Sequence, residues 1–375
     1  MARERAVRSD DAVSRRATLA FAGAAVLATA LPSRSMRAQS RSVPSRGINI
    51  PAWLDRENGQ VPADPVLDAL FRRGFRTVRL PVDCGRVLSA NGMALRDIRE
   101  GVSGLVDRGF AVLMDMHPSA DLHALFLQDA EAAGERVLRG WETLRGVIAD
   151  LPADRVYPEL LNEPPMENTD WLALRDRLAQ TVRRACPDHT IVWGPAPDQG
   201  IWQLDATPPL PDDKQIAAVH FYAPMAFTHQ CQSWGASPLA RISGLPFPAT
   251  RETPLVRARL AALRAAGDDE AIALIEDQLA TPWTETAVRT VFEGAARWSE
   301  RSGCPVMLNE FGVLDVCVDA PSRLAWIRAV RKAAEASGIG WAYWDLDQGF
   351  GLMESRLEAD GFDAAMLDAL FGEGD

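Results

Sequence analysis

The feature that most constrains this chain is the alternation of short apolar runs with helical patterns, repeated eight times. Runs rich in Val, Ile and Leu predict strands, and the stretches between them carry apolar residues at helical spacing. The predicted strands are 47–50, 77–80, 111–116, 156–161, 190–193, 216–222, 305–309 and 340–344. Strands that are apolar throughout are typical of a parallel sheet covered on both faces, so the pattern predicts an α/β fold, a (β/α)8 TIM barrel.

The predicted helices are 64–73, 95–108, 140–149, 171–185, 285–302, 322–337 and 363–371. An open doubly wound sheet is the structural alternative. It usually has fewer strands and a Gly-rich phosphate loop, and the sequence contains neither a GxGxxG motif nor a P-loop.

Residues 224–284, after the sixth predicted strand, exceed what one strand–helix unit needs, and they include a helical pattern over 254–279. In a barrel this insertion lies on the face that carries active sites. Because long ordered loops are usually functional, we expect it to form a wall or lid. An insertion without a functional role is the alternative.

The first 38 residues predict an export signal. Arg15 and Arg16 precede an apolar run, 17–31, that is short and alanine-rich for a membrane span. This pattern resembles a twin-arginine signal, with cleavage after Ala30 or Ala38. We therefore expect a single catalytic domain over 39–375, exported to the periplasm or secreted, without stable membrane insertion after cleavage. An uncleaved membrane anchor is the alternative.

Charge and cysteine content limit the partners. The net charge is −11 and no basic block follows the N-terminal segment, which argues against nucleic acid and suits a neutral substrate. The five cysteines are an odd number, so at least one has no partner within the chain, and none lies at metal-ligand spacing. An oxidising compartment permits a disulfide, but the spacing does not say which cysteines pair.

Polar residues close two of the predicted strands. Asn162-Glu163-Pro164 ends the fourth strand, and Asn309-Glu310-Phe311-Gly312 ends the seventh. In a closed barrel both strand ends lie on one face. Two carboxylates that meet there are suited to acid/base and nucleophilic chemistry on a glycosidic bond.

Four more motifs lie at strand ends: Arg79-Leu80-Pro81, Asp115-Met116-His117, His220-Phe221-Tyr222 and Trp341-Ala342-Tyr343-Trp344. In this order, the whole set resembles glycoside hydrolase family 5, cellulase-like enzymes in a clan of retaining (β/α)8 glycosidases. The resemblance covers roughly residues 46–350. It implies eight site residues here: Arg79, His117, Asn162, Glu163, His220, Tyr222, Glu310 and Trp344.

The resemblance also implies roles for the two carboxylates. Glu310 is expected to be the nucleophile, held ionised by Arg79 and hydrogen-bonded by Tyr222. Glu163 is expected to be the acid/base, with its pKa raised by repulsion from Glu310 and its side chain oriented by His220.

The other three residues are expected to bind the sugar at the scissile bond. Asn162 holds its 2-hydroxyl, His117 binds it and Trp344 stacks beneath it. No cofactor and no metal is implied. Further subsites are expected among aromatic residues and one histidine on loops, where they can also be packing residues: Trp53, Trp202, Trp234, Trp283 and His229.

The leading expectation is a monomeric endo-β-1,4-glucanase that acts on a polysaccharide or oligosaccharide. β-Mannan, β-1,3-linked or mixed-linkage glucan, and exo-acting or exopolysaccharide cleavage are alternatives within the family. Two rivals come from other classes. One is a non-catalytic polysaccharide-binding or assembly protein, and the other is a metal-dependent barrel hydrolase, which needs more His and Asp ligands at strand ends.

Overall fold

Eight short parallel strands pair in chain order, and the first pairs with the last to close the sheet. The computed structural model describes residues 43–89, 92–235 and 237–372; the predicted export signal, residues 1–38, lies outside them. The strands are β1 (Gly47–Asn49), β2 (Thr77–Asp83), β3 (Ala111–His117), β4 (Val156–Glu159), β5 (Ile191–Trp193), β6 (Gln215–His220), β7 (Val306–Glu310) and β8 (Gly340–Tyr343). The prediction of a (β/α)8 barrel is confirmed.

The apolar strands are explained by two cores. A small cluster fills the barrel interior: Leu113, Val192, Ile216, Ala218, Met307 and Ala342. A much larger cluster lies between the strands and the surrounding helices. Alternate residues of one strand therefore face different cores, and both are buried, so the strands show no polar alternation.

The described part of the chain contains twelve α-helices and two 3₁₀ segments, Ile201–Ala206 and Pro238–Arg241. The α-helices are α1 (Asp64–Arg72), α2 (Cys84–Leu88), α3 (Met93–Asp107), α4 (Ala120–Gln128), α5 (Ala130–Ile148), α6 (Asn168–Ala185), α7 (Met225–Thr228), α8 (Pro254–Ala266), α9 (Asp269–Gln278), α10 (Glu285–Ser302), α11 (Ala320–Ala336) and α12 (Ala364–Phe371).

Two helix predictions differ from the structure for identifiable reasons. The helix predicted over 140–149 is the second half of α5, which begins at a cap where Asp129 Oδ1 accepts from the amide of Ala132. The helical pattern over 254–279 is two helices, because Gly267 ends α8 at φ 72° and Asp268 caps α9. A left-handed residue cannot continue a helix, and glycine adopts that conformation without strain.

The segment between β6 and α10 contains α7, the second 3₁₀ segment, α8 and α9. A disulfide joins Cys231 of this segment to Cys317, which follows β7. The other three cysteines of the described chain, Cys84, Cys186 and Cys304, are buried and unbridged. Across the described residues, we find no helix whose length and hydropathy would allow it to cross a membrane.

Candidate active site

Arg79 on β2 is the centre of a buried polar cluster at the carboxyl end of the barrel. Its guanidinium is fully buried and makes a two-pronged contact with Glu159 of β4, at 2.7 and 2.9 Å. It also donates to Glu310 of β7 and contacts Asp115 of β3 at 3.1 Å. Three carboxylates thus share one cation, an arrangement that stays folded only because each charge has a partner.

Glu310 is held from two sides. Arg79 Nη1 donates to its Oε1, and the Tyr222 hydroxyl donates to its Oε2 at 2.8 Å. The side chain is nearly buried at the end of β7. Both oxygens are therefore fixed in direction by charge-assisted or hydroxyl hydrogen bonds.

Glu163 lies four residues past the end of β4, and its carboxylate contacts His220 of β6. Glu163 Oε1 is 2.8 Å from His220 Nδ1, and His220 Nδ1 is 3.5 Å from Glu310 Oε2. The Glu163 side chain is 41% exposed, whereas His220 is buried beneath it. The more accessible carboxyl therefore faces the open cleft, and the histidine supports it from below.

One oxygen of Glu163, one of Glu310 and one nitrogen of His220 all lie within 4.8 Å of one another. The carboxylates are thus close enough to act on the same bond. These three groups also have the chemistry of a metal site. However, His220 contacts Glu163, and Tyr222 and Arg79 both donate to Glu310, so these atoms already have protein partners.

His117 and Trp344 form the opposite side of the site. His117 Nδ1 is 2.7 Å from Asp115 Oδ2, and its ring stacks on Trp344 with centroids 6.0 Å apart and planes 14° apart. Asn162 Oδ1 accepts from Arg79 at 2.7 Å. Contacts through Arg79 and Asp115 thus link all eight residues that the family resemblance implied.

Protonation in the cluster follows from burial and charge. Desolvation raises the pKa of Glu163 above its ordinary value, although the charges of His117 and Arg79 act in the opposite direction. We had attributed this shift to repulsion from Glu310, and desolvation is instead its main cause. Burial lowers the pKa of His220 to about 4, so its ring is neutral at neutral pH.

Asp115 and His117, both on β3, have pKa shifts that favour their charged forms. Burial works to lower the pKa of His117, but the charge and hydrogen bond of Asp115 outweigh it and raise that pKa. Burial likewise works to raise the pKa of Asp115, but Arg79 and His117 hold it below its ordinary value. An ionised Asp115 therefore supports a proton on His117.

The five candidate subsite residues separate by burial. Trp53 is 6% exposed and packs against Gly101 of α3, and Trp283 is 4% exposed with its indole donating to Gln278. These two occupy packing positions, which is one of the two alternatives that the sequence left open for each of them. Trp202 and Trp234 remain 58% and 52% exposed.

His229 joins the segment after β6 to the site. Its ring is buried and contacts Tyr222 at 5.0 Å between centroids and Trp234 at 6.1 Å, both in edge-to-face geometry. Burial lowers its pKa to about 4. His229 is therefore a buried, neutral ring that packs against the exposed Trp234.

Sequence reasoning missed five polar residues of the cluster: Asn49, Asp115, Glu159, Gln199 and Asn309. All five are buried; for example, Asn309 donates to Glu159 at 2.7 Å, and Asn49 accepts from Arg79 at 3.0 Å. Asp115 and Asn309 stand inside the quoted motifs, and Glu159 is an acid in an apolar strand, which is a signal that could have been used. Gln199 has no such signal.

Comparisons with known proteins agree with this geometry. The family model described as cellulase (glycosyl hydrolase family 5) matches residues 36–349. The chain is 24% identical over 346 residues to Endoglucanase 3 of Fibrobacter succinogenes, covering 86% of this chain and 52% of that protein. It is 23% identical to Endoglucanase H of Acetivibrio thermocellus, covering 80% and 29%. The chain thus spans about half, or less, of these two curated relatives.

Solved structures of Thermotoga maritima Cel5A, in complex with cellobiose and with mannotriose, superpose with a TM-score of 0.71. Each is 24% identical and covers 88% of this chain and 99% of its own. Likeness at this identity establishes the fold. Because the family model matches most of the chain, the resemblance seen in the motifs is confirmed, and the chain belongs to glycosyl hydrolase family 5 as a glycoside hydrolase.

Proposed function

We propose that the protein is a retaining glycoside hydrolase that cleaves β-linked polysaccharide, with endo-β-1,4-glucanase as the leading activity. The observation that carries the mechanism is the approach of a Glu163 oxygen to a Glu310 oxygen within 4.8 Å. Retaining enzymes hold their carboxyl groups about 5–5.5 Å apart, whereas inverting enzymes need about 6.5–9.5 Å to admit a water molecule.

In the first step, Glu310 attacks the anomeric carbon and forms an ester bond to the sugar. The bond from that carbon to the glycosidic oxygen breaks, and Glu163 gives its proton to the departing oxygen. The raised pKa of Glu163 supports this role, because the group must be protonated at rest. Arg79 and Tyr222 direct the attacking oxygen of Glu310.

In the second step, Glu163 is a carboxylate and takes a proton from water. The water oxygen bonds to the anomeric carbon from the same side that the first leaving group left. The ester bond to Glu310 breaks, and its charge returns to the hydrogen bonds of Arg79 and Tyr222. Neutral His220 can donate from Nδ1 to ionised Glu163 in one tautomer and accept at Nδ1 from protonated Glu163 in the other.

The sugar at the scissile bond would lie between Asn162 and the pair of His117 and Trp344. Arg79 occupies the amide oxygen of Asn162, which leaves the amide nitrogen to meet a sugar 2-hydroxyl. Asp115 raises the pKa of His117, and the imidazolium form can donate to a sugar oxygen. Trp344 offers a ring face to apolar C–H groups.

The choice of β-1,4-glucan is supported by the names of the curated relatives, which are endoglucanases. The Thermotoga maritima enzyme is described with both cellobiose and mannotriose, so β-mannan is the first alternative to test. β-1,3-linked or mixed-linkage glucan, exopolysaccharide and exo-acting cleavage are further alternatives.

The test is reducing-sugar release and product profiling on soluble β-glucans, β-mannans and exopolysaccharides. The protein is compared with Glu163→Gln, Glu310→Gln and the matched control Glu293→Gln, an exposed acid of α10. We expect one polymer class to be cut by wild type and control, with both site variants nearly inactive. Full activity in either site variant refutes the mechanism, and binding of a polymer without cleavage favours the rival of a non-catalytic binding protein. Loss of activity with EDTA favours the metal-dependent rival.

We also propose that residues 1–38 direct export through the twin-arginine pathway. The support is the Arg15-Arg16 pair before an apolar run. Fractionation of cells expressing the full chain is the test, with Arg15→Lys/Arg16→Lys beside wild type. We expect the double variant to stay in the cytoplasm. Equal export of both proteins refutes the proposal.

A further inference from the structure

Gln199, in the loop after β5, is a fully buried polar residue that the mechanism above does not use. It stands beyond the end of β5, and its backbone has φ 52°, the left-handed region that few residues other than glycine adopt. A strained and buried glutamine persists only where its surroundings hold it firmly. Its contacts indicate what it holds.

Two contacts tie Gln199 to the proposed acid/base pair, and a third ties it to the partner of Arg79. Its side-chain oxygen accepts from the backbone amide of Glu163 at 2.8 Å. Its backbone carbonyl accepts from the amide of His220, also at 2.8 Å. One residue therefore anchors both members of the Glu163–His220 pair through their main chains. Its side-chain nitrogen lies 3.3 Å from Glu159 Oε1, which connects it to the partner of Arg79.

Glu163 needs such an anchor. Its backbone φ is 42°, and it lies beyond the end of β4. The amide of Asn162, just before it, still donates to Met116 of β3 at 3.0 Å, whereas the amide of Glu163 donates to a side chain. Among the described residues, the Gln199 side-chain oxygen accepts the hydrogen bond of the Glu163 backbone amide. Without that acceptor, the backbone of Glu163 is free to relax toward an ordinary φ, and its carboxyl moves relative to Glu310.

A second position in the sequence makes this contact possible. Gly194, just after β5, lies directly against the Gln199 side chain. A Cβ atom at Gly194 would stand 2.1 Å from Gln199 Cγ and 2.6 Å from both Cδ and Nε2. An alanine there cannot coexist with the observed position of Gln199. Gly194 and Gln199 thus form one structural unit.

We propose that Gln199, seated against Gly194, is a positioning residue that sets the placement of Glu163 and His220 for proton transfer. The inference deepens the proposed function and rests on Glu163 as the acid/base. Gln199 does not touch substrate in this account. Its loss should affect the steps that need a proton from Glu163 and spare those that do not.

Two substrates that differ in their leaving group isolate the loss of proton transfer from Glu163. A 2,4-dinitrophenolate departs from a β-cellobioside without protonation, whereas a phenolate needs the proton of Glu163. For Gln199→Met, which fills a similar volume without the hydrogen bonds, we expect kcat/KM on phenyl β-cellobioside to fall about 100-fold, as for a misplacement of about 1 Å. On the dinitrophenyl substrate the fall should stay within about threefold, because Glu310 and its partners are unchanged.

Gly194→Ala displaces the Gln199 side chain without changing its chemistry. This variant should therefore show the same large loss on the phenyl substrate and small loss on the dinitrophenyl substrate. Gly200→Ala is the matched control, because its added Cβ would meet Gln203 Cγ at an ordinary 3.6 Å. Wild type, the three variants and Glu163→Gln are compared, and thermal unfolding confirms that each is folded. If Gln199→Met does not fold, Gly194→Ala decides.

The outcomes distinguish failure of the positioning role of Gln199 from failure of Glu163 as the acid/base. Leaving-group dependence in Glu163→Gln, Gln199→Met and Gly194→Ala, but not in Gly200→Ala, supports the positioning role. Equal losses on both substrates in Gln199→Met and Gly194→Ala overturn it, since a merely structural residue affects all substrates alike. If Glu163→Gln itself discriminates neither substrate, the proposed function is wrong, and the positioning role fails with it.

Discussion

Arg79→Met is expected to destabilise the protein by several kcal/mol, because Arg79 is the shared cation of three carboxylates. Methionine has a similar apolar stem, so the change removes the charge and the hydrogen bonds and keeps much of the volume. Glu159 is the group most affected. It is fully buried and takes two hydrogen bonds from the guanidinium, at 2.7 and 2.9 Å.

The magnitude follows from what each carboxylate retains. Breaking a buried ion pair by removing one partner costs about 3–5 kcal/mol. Asp115 keeps His117, and Glu310 keeps Tyr222. Glu159 keeps only neutral amide donors, Asn309 at 2.7 Å and Gln199 at 3.3 Å, and it loses both guanidinium contacts, so it bears most of the cost. In a domain of roughly 330 residues, this corresponds to a Tm lowered by about 5–7 °C.

The loss should depend on pH in a defined direction. In wild type, burial already raises the pKa of Glu159 to about 7, although Arg79 acts in the opposite direction. Without Arg79 that pKa rises further, so the folded variant keeps a proton that folded wild type releases as pH rises above about 7, and its stability falls relative to wild type over that range. The part of the deficit that comes from Glu159 should be small near pH 5 and full near pH 9.

The assay is urea unfolding at pH 5 and pH 9, followed by fluorescence, for wild type and three variants. Arg79→Met/Glu159→Gln should recover about half of the loss, because it removes the uncompensated buried charge. Arg289→Met is the control, since its pairing with Glu293 is exposed and is expected to contribute at most about 0.5 kcal/mol. A loss below about 1 kcal/mol in Arg79→Met, or one that is equal at the two pH values, refutes the reasoning.

Three further predictions follow from the site and its surroundings. Activity on polymer should decline as pH rises through the raised pKa of Glu163, because the proton donor is lost; the pH profile of kcat/KM checks this, and a dinitrophenyl substrate should lack the decline. Trp234→Ala should raise KM for long oligosaccharides about 3–10-fold with unchanged Tm, whereas Trp234→Phe should stay near wild type; equal KM values in steady-state kinetics would remove Trp234 from the substrate path. Cys231→Ser/Cys317→Ser should lower the unfolding free energy by about 2–4 kcal/mol in urea titrations, because the bridge spans 86 residues, and a neutral result would contradict that estimate.

Much of the fold could be predicted because its signals are local. A strand buried on both faces must be apolar along its whole length, so β2 and β3 are visible as continuous runs. Capping residues also act within one turn, although the caps at Asp129 and Asp268 were missed. The end of β4 was harder, because Leu160 and Leu161 are as buried as the strand but lie outside its ladder.

The site divides in a similar way. The meeting of Glu163 and Glu310 at one end of the barrel was predictable, because a polar pair at the end of an apolar strand has no packing explanation. Gln199 was not predictable, because its importance rests on Glu163, Gly194 and His220, which are distant from one another in the chain and meet only when the barrel closes. Trp53 and Trp234 are both tryptophans in predicted loops, and only their burial in the fold distinguishes the packing side chain from the exposed one.

The sequence by itself determined the eight strand–helix units and the residues that end each strand, because apolar period and strand-end polarity are properties of neighbouring residues. Tertiary structure decided what those residues do to one another. The distance between Glu163 and Glu310, the desolvation that raises the pKa of Glu163 and the pairing of Cys231 with Cys317 all depend on closure of the barrel. Electrostatic and hydrogen-bond energies depend on the separation and burial of groups in three dimensions, and the order of residues along the chain gives neither of these directly.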